Sequence, residues 1–166
     1  IQRGVCDNHF PDFPPFEARC AGAESVFDVE GVPFDHVFID ADASLELAAS
    51  QLADYFEANP ETNAIFMLGP NGGAALNVYI QQAGIQPGQL YATTHDTSPE
   101  IFQMIQDGYL LQAIDQQPYM QGFQTIMSLY LYYEYGLRAS GYINTSSVID
   151  QNNVDYVLEL VGAGYR

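Results

Sequence analysis

The sequence of 166 residues contains no lysine and no tryptophan, and its basic side chains are four arginines. Against these stand 21 acidic residues, which give a formal net charge of -17. Such a surface cannot neutralise phosphate groups, so nucleic acid and anionic membranes are poor partners. An acidic, lysine-free surface suits a high-salt habitat, where charge repulsion is screened, although compositional drift would give the same counts.

Several functional classes are excluded by what is missing. Without lysine there is neither a Walker phosphate loop nor the lysine of a response-regulator receiver. The glycine-rich segment 69–73 lacks the GxGxxG spacing of a dinucleotide site, and no GxSxG elbow is present. The sequence has no run of 18 or more apolar residues, so it predicts no membrane-spanning helix.

The two cysteines, Cys6 and Cys20, lie 14 residues apart. This spacing suits neither a zinc ribbon nor a CxxC redox pair. Two interpretations stay open at this stage. The cysteines form a disulfide in an oxidising compartment, or they are two buried thiols that pack as small hydrophobic side chains.

The 48% hydrophobic content predicts a folded chain of one domain, or one domain with an appendage. Apolar segments alternate with helical segments that carry their own start and stop signals. Predicted strands cover residues 2–7, 34–39, 63–68, 90–94 and 109–114. The predicted intervening helices run from Pro14 to Val26, from Ala43 to Glu57 after an Asp40 and Asp42 cap, from the glycine turn to Ala83, and from Pro99 to Gln106 after Ser98. This alternation predicts an α/β fold with a doubly wound, five-stranded parallel sheet of flavodoxin-like order 2-1-3-4-5.

The C-terminal part of the chain does not repeat this unit. A helix over 119–135 is apolar on nearly every side and therefore requires cover on both sides. An extended piece follows at 142–149, and then a helix over 152–161 capped by Asp150. The pattern therefore divides the chain into an α/β unit, residues 1–117, and a C-terminal segment, residues 118–166.

Polar side chains follow the predicted strands, at the edge where open α/β sheets bind ligands. They include Asn71, Asp96 and Gln116, with aromatic side chains from the first loop. Amides and carboxylates match the vicinal hydroxyls of a sugar, and aromatic rings cover its C–H surface. Each polar residue also has a structural interpretation, as a turn former, a helix cap or a backbone partner. A metal site formed by His9, His95 and Asp96 is a further alternative, which no ligand spacing supports.

These segments resemble a known family. The stretches VCDNHFPDFPPFEARCAG, IFMLGPNGG, TTHDTSPEIFQMIQDG, AIDQQPYMQGF and VIDQNNVD are similar to the carboxyl-terminal half of a type I periplasmic sugar-binding protein of an ABC transporter, in the superfamily of ribose-binding proteins and lactose-type repressors. The resemblance implies that residues 1–117 are the ligand-binding second lobe of two. Residues 118–166 would be a crossover and C-terminal segment that returns to a first lobe, with residues 119–137 packed against that lobe or against another copy.

The resemblance also implies residue roles. Asn71, Asp96 and Gln116 would bind the sugar by hydrogen bonds. The loop from His9 to Phe13 would form the rim of the site. At Glu17, which we include among the candidate ligand residues, ribose-type relatives often carry an arginine, so this position departs from the family.

Three further expectations follow from the resemblance. Gln117 and Pro118 would lie at the hinge. The cysteine pair recurs among relatives, which favours the disulfide between Cys6 and Cys20. No cofactor, metal or catalytic residue is implied.

The predicted function is therefore sugar binding, in the periplasm or outside the cell, with a membrane permease as partner. The alternative is the effector-binding core of a sugar-responsive transcriptional regulator. An enzyme of flavodoxin-like fold is the third hypothesis.

Overall fold

The computed structural model describes residues 1–138 and 146–163. Six strands form one sheet: β1 (Gly4–Asp7), β2 (Phe34–Val37), β3 (Ala64–Met67), β4 (Tyr91–His95), β5 (Gln112–Asp115) and β6 (Ser147–Asp150). Six helices connect or follow them: α1 (Pro14–Glu30), α2 (Leu45–Ala58), α3 (Pro70–Ala83), α4 (Pro99–Gln106), α5 (Pro118–Tyr135) and α6 (Val154–Gly162). The α/β class is as predicted.

The strand order is β2-β1-β3-β4-β5-β6, and the first five strands are parallel. This confirms the predicted order 2-1-3-4-5. The sixth strand was not predicted as a member of the sheet. It pairs antiparallel with β5, with Ala113 opposite Ile149. The first part of the predicted extended piece, residues 142–145, lies outside the described residues.

Strand β6 and helix α6 pack on the parallel part of the sheet, and the division of the chain at residue 118 stays a prediction. Ile149 of β6 and both Val154 and Val157 of α6 are buried in the main core. Burial of these apolar side chains stabilises the packing of β6 and α6 on the rest of the fold. The assignment of Pro118–Tyr135 to a crossover stays a prediction.

Alternation along the strands sends successive side chains to opposite faces of the sheet. Val5, Ile65, Met67 and Ala92 join the main core with α2, α3, α4 and α6. Cys6, Phe66 and Leu68 pack with Cys20 and Phe16 of α1 in a smaller second cluster. Helices therefore cover both faces, as a doubly wound sheet requires.

The face that carries α1 is only partly covered. Beside α1 lies an apolar groove of about 660 Å³ whose lining includes Phe27, Phe66, Tyr91, Leu111 and Ile114. Tyr91 and Leu111 are 42% and 51% exposed. Helix α5, which follows β5 directly, does not fill this groove, because none of its residues is buried. We call this groove the open sheet face.

Several predicted helix ends are confirmed. Ser98 caps α4 by accepting a hydrogen bond from the Ile101 N–H at 3.2 Å. Gly84 ends α3 with a φ of 67°, a left-handed conformation that glycine adopts without strain.

Other ends differ from the predictions. Helix α2 is capped by Ser44, not by Asp40 and Asp42, because the Ser44 hydroxyl accepts from the Leu47 N–H. Helix α3 begins at Pro70, so the predicted glycine turn is its first turn. Helix α1 continues to Glu30, four residues beyond the predicted end, and α6 has Asn153 at its cap position.

Candidate sugar-binding cleft

A cleft of about 380 Å³ lies at the carboxyl edge of the parallel strands. Five of the six residues predicted to bind ligand line it: His9, Phe13, Asn71, Asp96 and Gln116. The sixth, Glu17, is absent from the lining. The lining also includes Phe16 and Arg19, which were not predicted from the sequence.

The loop after β1 gives the cleft an aromatic wall. Phe13 and Phe16 meet edge to face at 5.2 Å between ring centroids, and His9 meets Phe16 at 4.9 Å. Phe10 extends this cluster outward and is 54% exposed. A wall of ring faces and edges suits the C–H surface of a small polar ligand.

The polar residues Asn71, Asp96 and Gln116 of the cleft lining are each hydrogen-bonded to another side chain. The Gln116 amide donates to the Asp96 carboxylate at 2.6 Å. The Asn71 amide donates to Asp42, also at 2.6 Å. These bonds fix the orientation of each amide.

Backbone strain concentrates at this edge of the sheet. Within the described parts of the chain, three residues other than glycine have positive φ: Asp12, Asp96 and Gln117. Asp96 holds φ 66° while its N–H bonds the Ile114 carbonyl at 2.8 Å. Strained residues persist where surrounding contacts fix them, and they cluster at ligand sites and hinges.

Arg19 is the only basic residue of the cleft lining apart from histidine. Its guanidinium carbon lies 5.3 Å from the centroid of the Phe16 ring, one helical turn earlier on α1. This spacing of three residues was visible in the sequence, but it indicates a site only once α1 is known to border the cleft.

His9 enters the cleft wall beside Gly69. A Cβ at position 69 would lie 3.2 Å from the His9 Cε1 atom, so a larger residue would crowd the ring. Burial lowers the pKa of His9, and the nearby Asp42 carboxylate offsets part of this effect. The imidazole is therefore neutral at physiological pH.

Glu17 turns away from the cleft and into the loop. Its Oε1 atom accepts from the Asn8 side-chain amide at 2.7 Å and from the Asp12 N–H at 3.3 Å. As placed here, Glu17 contacts the loop that carries His9 and Phe13 rather than the space a ligand would fill.

Gln117 and Pro118 join β5 to α5. Gln117 has φ 55°, and its N–H donates to the Asp115 carboxylate at 2.8 Å. Pro118 is at the first position of α5, where its missing N–H costs nothing. The assignment of these two residues to a hinge stays a prediction.

Cys6 and Cys20 form a disulfide that ties β1 to α1. Both residues are fully buried. The interpretation of the pair as two free thiols is therefore wrong for this structure.

Metal binding at this edge gains no support. Among residues 1–138 and 146–163, no cluster of three or more His, Cys, Asp or Glu side chains is arranged to hold a metal ion. His95 lies with its Nδ1 atom 3.7 Å from Asp96, but His9 does not join them in a cluster.

Comparison with known proteins decides the family. Residues 4–136 match the model of the periplasmic binding protein domain. The chain belongs to the periplasmic binding protein family. The resemblance predicted from the sequence is thus confirmed at this level. No helix in the described part of the chain has the length and apolar character to cross a bilayer.

Relatives of this periplasmic binding protein domain include transport proteins for sugars. The chain is 32% identical over 129 residues to a xylose/arabinose-binding protein of Sulfolobus acidocaldarius. The aligned residues cover 74% of this chain and 31% of the relative. A carbohydrate transporter from Acidothermus cellulolyticus, solved with myo-inositol, has a TM-score of 0.82 at 23% identity, covering 99% of this chain and 56% of that one.

A solute-binding protein from Actinobacillus succinogenes, solved with D-allose, has a TM-score of 0.81 at 20% identity, covering 93% of this chain and 55% of that one. The chain thus spans about a third of the curated relative and a little over half of these solved structures. At these identities the two structures establish the fold alone. All three relatives are named for transport or for solute binding. These names do not favour the alternative hypothesis of a transcriptional regulator.

Proposed function

We propose that this chain is the second lobe of a solute-binding protein of an ABC transporter, and that its ligand is a simple sugar. The observation that carries the proposal is the cleft itself. Asn71, Asp96 and Gln116 line the same space as the aromatic wall of His9, Phe13 and Phe16. The relatives named for sugars support this choice of ligand class.

The chemistry of the cleft fits a polyhydroxylated ring. Asp96 accepts hydrogen bonds, whereas the Asn71 and Gln116 amides both donate and accept. Arg19 adds donors only, and its position over Phe16 keeps the guanidinium at the wall. A sugar hydroxyl both donates and accepts, so such a set holds it in one orientation and disfavours an analogue that lacks the hydroxyl.

Binding would be completed by a first lobe that closes over the cleft. The volume of about 380 Å³ falls at the small end of the ~300–1,000 Å³ range of small-molecule sites. One lobe buries only part of a ligand, so we expect the 166-residue chain to bind sugars weakly on its own. Closure about Gln117 and Pro118 would present a single closed form to a membrane permease, in the periplasm or outside the cell.

Two uncovered apolar surfaces support a first lobe as partner. Helix α5 exposes a face that includes Tyr119, Phe123 and Ile126. The open sheet face is the second surface. Contiguous exposed apolar surface of this kind marks an interaction site in a water-soluble fold, and we assign both surfaces to contact with the first lobe.

Calorimetric titration of the full-length gene product tests the proposal. D-xylose, D-arabinose, D-allose and myo-inositol form the panel. We expect at least one to bind, and Gln116→Ala to weaken that sugar more than tenfold through loss of a buried polar contact. Gln82→Ala is the matched control, because Gln82 is exposed on α3. No heat with any of these sugars, or equal affinity of Gln116→Ala and the wild type, would contradict the proposal.

A further inference from the structure

The loop of residues 8–13 carries the aromatic wall but contains little regular structure. It joins β1 to α1 and supplies His9 and Phe13 to the cleft. Its residue Asp12 has φ 64°, a left-handed conformation that is uncommon outside glycine, although aspartate adopts it more readily than most residues. Because residues 8–13 belong to no helix or strand, contacts outside regular secondary structure must define the conformation of the loop.

Asn8 anchors the start of this loop. It is 7% exposed, and its N–H continues the sheet by bonding the Val37 carbonyl at 2.8 Å. Its side-chain oxygen accepts from the Phe10 N–H at 3.0 Å, which bends the chain as an Asx turn does. Its side-chain amide remains to donate elsewhere, and it donates to Glu17 at 2.7 Å.

Glu17 closes the loop from the other end. It stands in the first turn of α1, after Pro14 and Pro15, which have no N–H to satisfy. The remaining N–H groups of that turn, those of Phe16 and Glu17, already bond the Phe13 carbonyl. The carboxylate is thus not needed by the helix and reaches back to Asn8 and to the strained Asp12.

We propose that Glu17, acting with Asn8, is a positioning residue that holds the aromatic wall in its binding conformation. This inference rests on the proposed sugar-binding function and gives position 17 a role within it. The carboxylate contacts the loop and does not line the cleft, so it touches no sugar. A negative charge strengthens both hydrogen bonds, because charge-assisted bonds are stronger than neutral ones.

The test compares Glu17→Ala, Glu17→Gln and Asn8→Ala in the full-length gene product. The sugar is the tightest binder among D-xylose, D-arabinose, D-allose and myo-inositol, together with its deoxy analogues. Glu30→Ala, an exposed acid at the far end of the same helix, is the control. We expect Glu17→Ala to raise Kd about tenfold and Glu17→Gln, which keeps an acceptor oxygen, to raise it only a few fold.

Two readouts separate positioning from direct contact. A positioning residue raises Kd by the same factor for the sugar and for every deoxy analogue. The double variant Glu17→Ala with Asn8→Ala should raise Kd by less than the product of the two single increases, because the two residues share one hydrogen bond and each also makes a bond of its own to the loop. The amide order parameter of Asp12 should also fall in Glu17→Ala, since its acceptor is removed. Glu17→Gln serves all these measurements if Glu17→Ala does not fold.

Three results would overturn the inference. They are an unchanged Kd in Glu17→Ala, an unchanged Asp12 order parameter, or a Kd increase that disappears for one deoxy analogue. A wild-type protein that binds no sugar would instead overturn the proposed function, and the sugar role of Glu17 with it. Wild-type binding with an unaffected Glu17→Ala overturns this inference alone.

Discussion

Asp7 offers the sharpest prediction about stability. It ends β1, is completely buried, and neither of its carboxylate oxygens has a hydrogen-bond partner among the described residues. Burial raises its pKa from 3.8 to about 8, with no charged group contributing. The side chain is therefore mostly protonated at neutral pH, and Asp7→Asn replaces it with a neutral group of nearly the same shape.

The magnitude follows from proton linkage. Between about pH 4 and pH 8 the folded chain keeps the Asp7 proton and the unfolded chain has lost it. Each pH unit in this window therefore costs the wild type roughly 1.4 kcal/mol of unfolding free energy. Asp7→Asn does not titrate, so relative to the wild type it should gain roughly 4 kcal/mol between pH 4 and pH 7.

Urea unfolding of the 166-residue chain and its Asp7→Asn variant, from pH 4 to pH 8, measures this difference. All other titrating groups are common to both proteins and cancel. We expect the two unfolding free energies to be closest at pH 4 and to diverge as pH rises. A difference that stays constant across this range would refute the conclusion that Asp7 is buried and protonated in the folded state.

Three further predictions concern packing. Gly72→Ala should lower the unfolding free energy by about 1–3 kcal/mol, because the new methyl group would lie 2.5 Å from the Asp7 Oδ2 atom. The control Gly22→Ala on α1 meets no atom within 4 Å and should be neutral or stabilising. Equal unfolding free energies of the two variants in denaturant melts would contradict this prediction. Cys6→Ala with Cys20→Ala should cost roughly 3 kcal/mol, the chain entropy of a loop closed by residues 14 apart, and dithiothreitol should leave this variant unchanged in the same melts. The side chain of Ile126 on α5 is 68% exposed, so Ile126→Glu should change the unfolding free energy of the 166-residue chain by less than about 0.5 kcal/mol. In the full-length protein the same change should be measurably destabilising. Equal effects in the two proteins would argue against a first-lobe contact at this position.

The core of the fold was readable from the sequence because local signals agreed with the global arrangement. Continuous apolar strands such as β3, the Ser98 cap and the Gly84 stop each follow from side-chain chemistry over a few residues. Strand β6 was not readable as part of the sheet. Its membership depends on antiparallel pairing with β5, a long-range contact that no local pattern encodes.

The predicted N-cap of α2 was wrong for a related reason. Asp40, Asp42 and Ser44 are all suitable capping residues, and the sequence offers no way to choose among them. In the structure Ser44 takes the cap while Asp42 accepts from Asn71 across the cleft edge. The Asp42 carboxylate thus joins the segment before α2 to the first turn of α3 and does not cap a helix.

The candidate site shows the same limit. Asn71, Asp96 and Gln116 were predictable as polar residues at strand ends, and all three line the cleft. Arg19 and the Asn8–Glu17 bond were not, because they depend on where α1 lies against the first loop. The sequence pattern also does not show that the carboxylate of Asp7, the residue before Asn8, has no hydrogen-bond partner among the described residues.

The most direct test of the central claim is an NMR titration of the 166-residue chain with the sugar that binds the full-length protein. We expect chemical-shift changes in fast exchange, because one lobe binds weakly. They should be concentrated at Asn71, Asp96 and Gln116 and in the loop of residues 8–13. Shifts confined to the open sheet face or to α5, or no shifts at saturating sugar, would contradict the assignment of this cleft as the binding site.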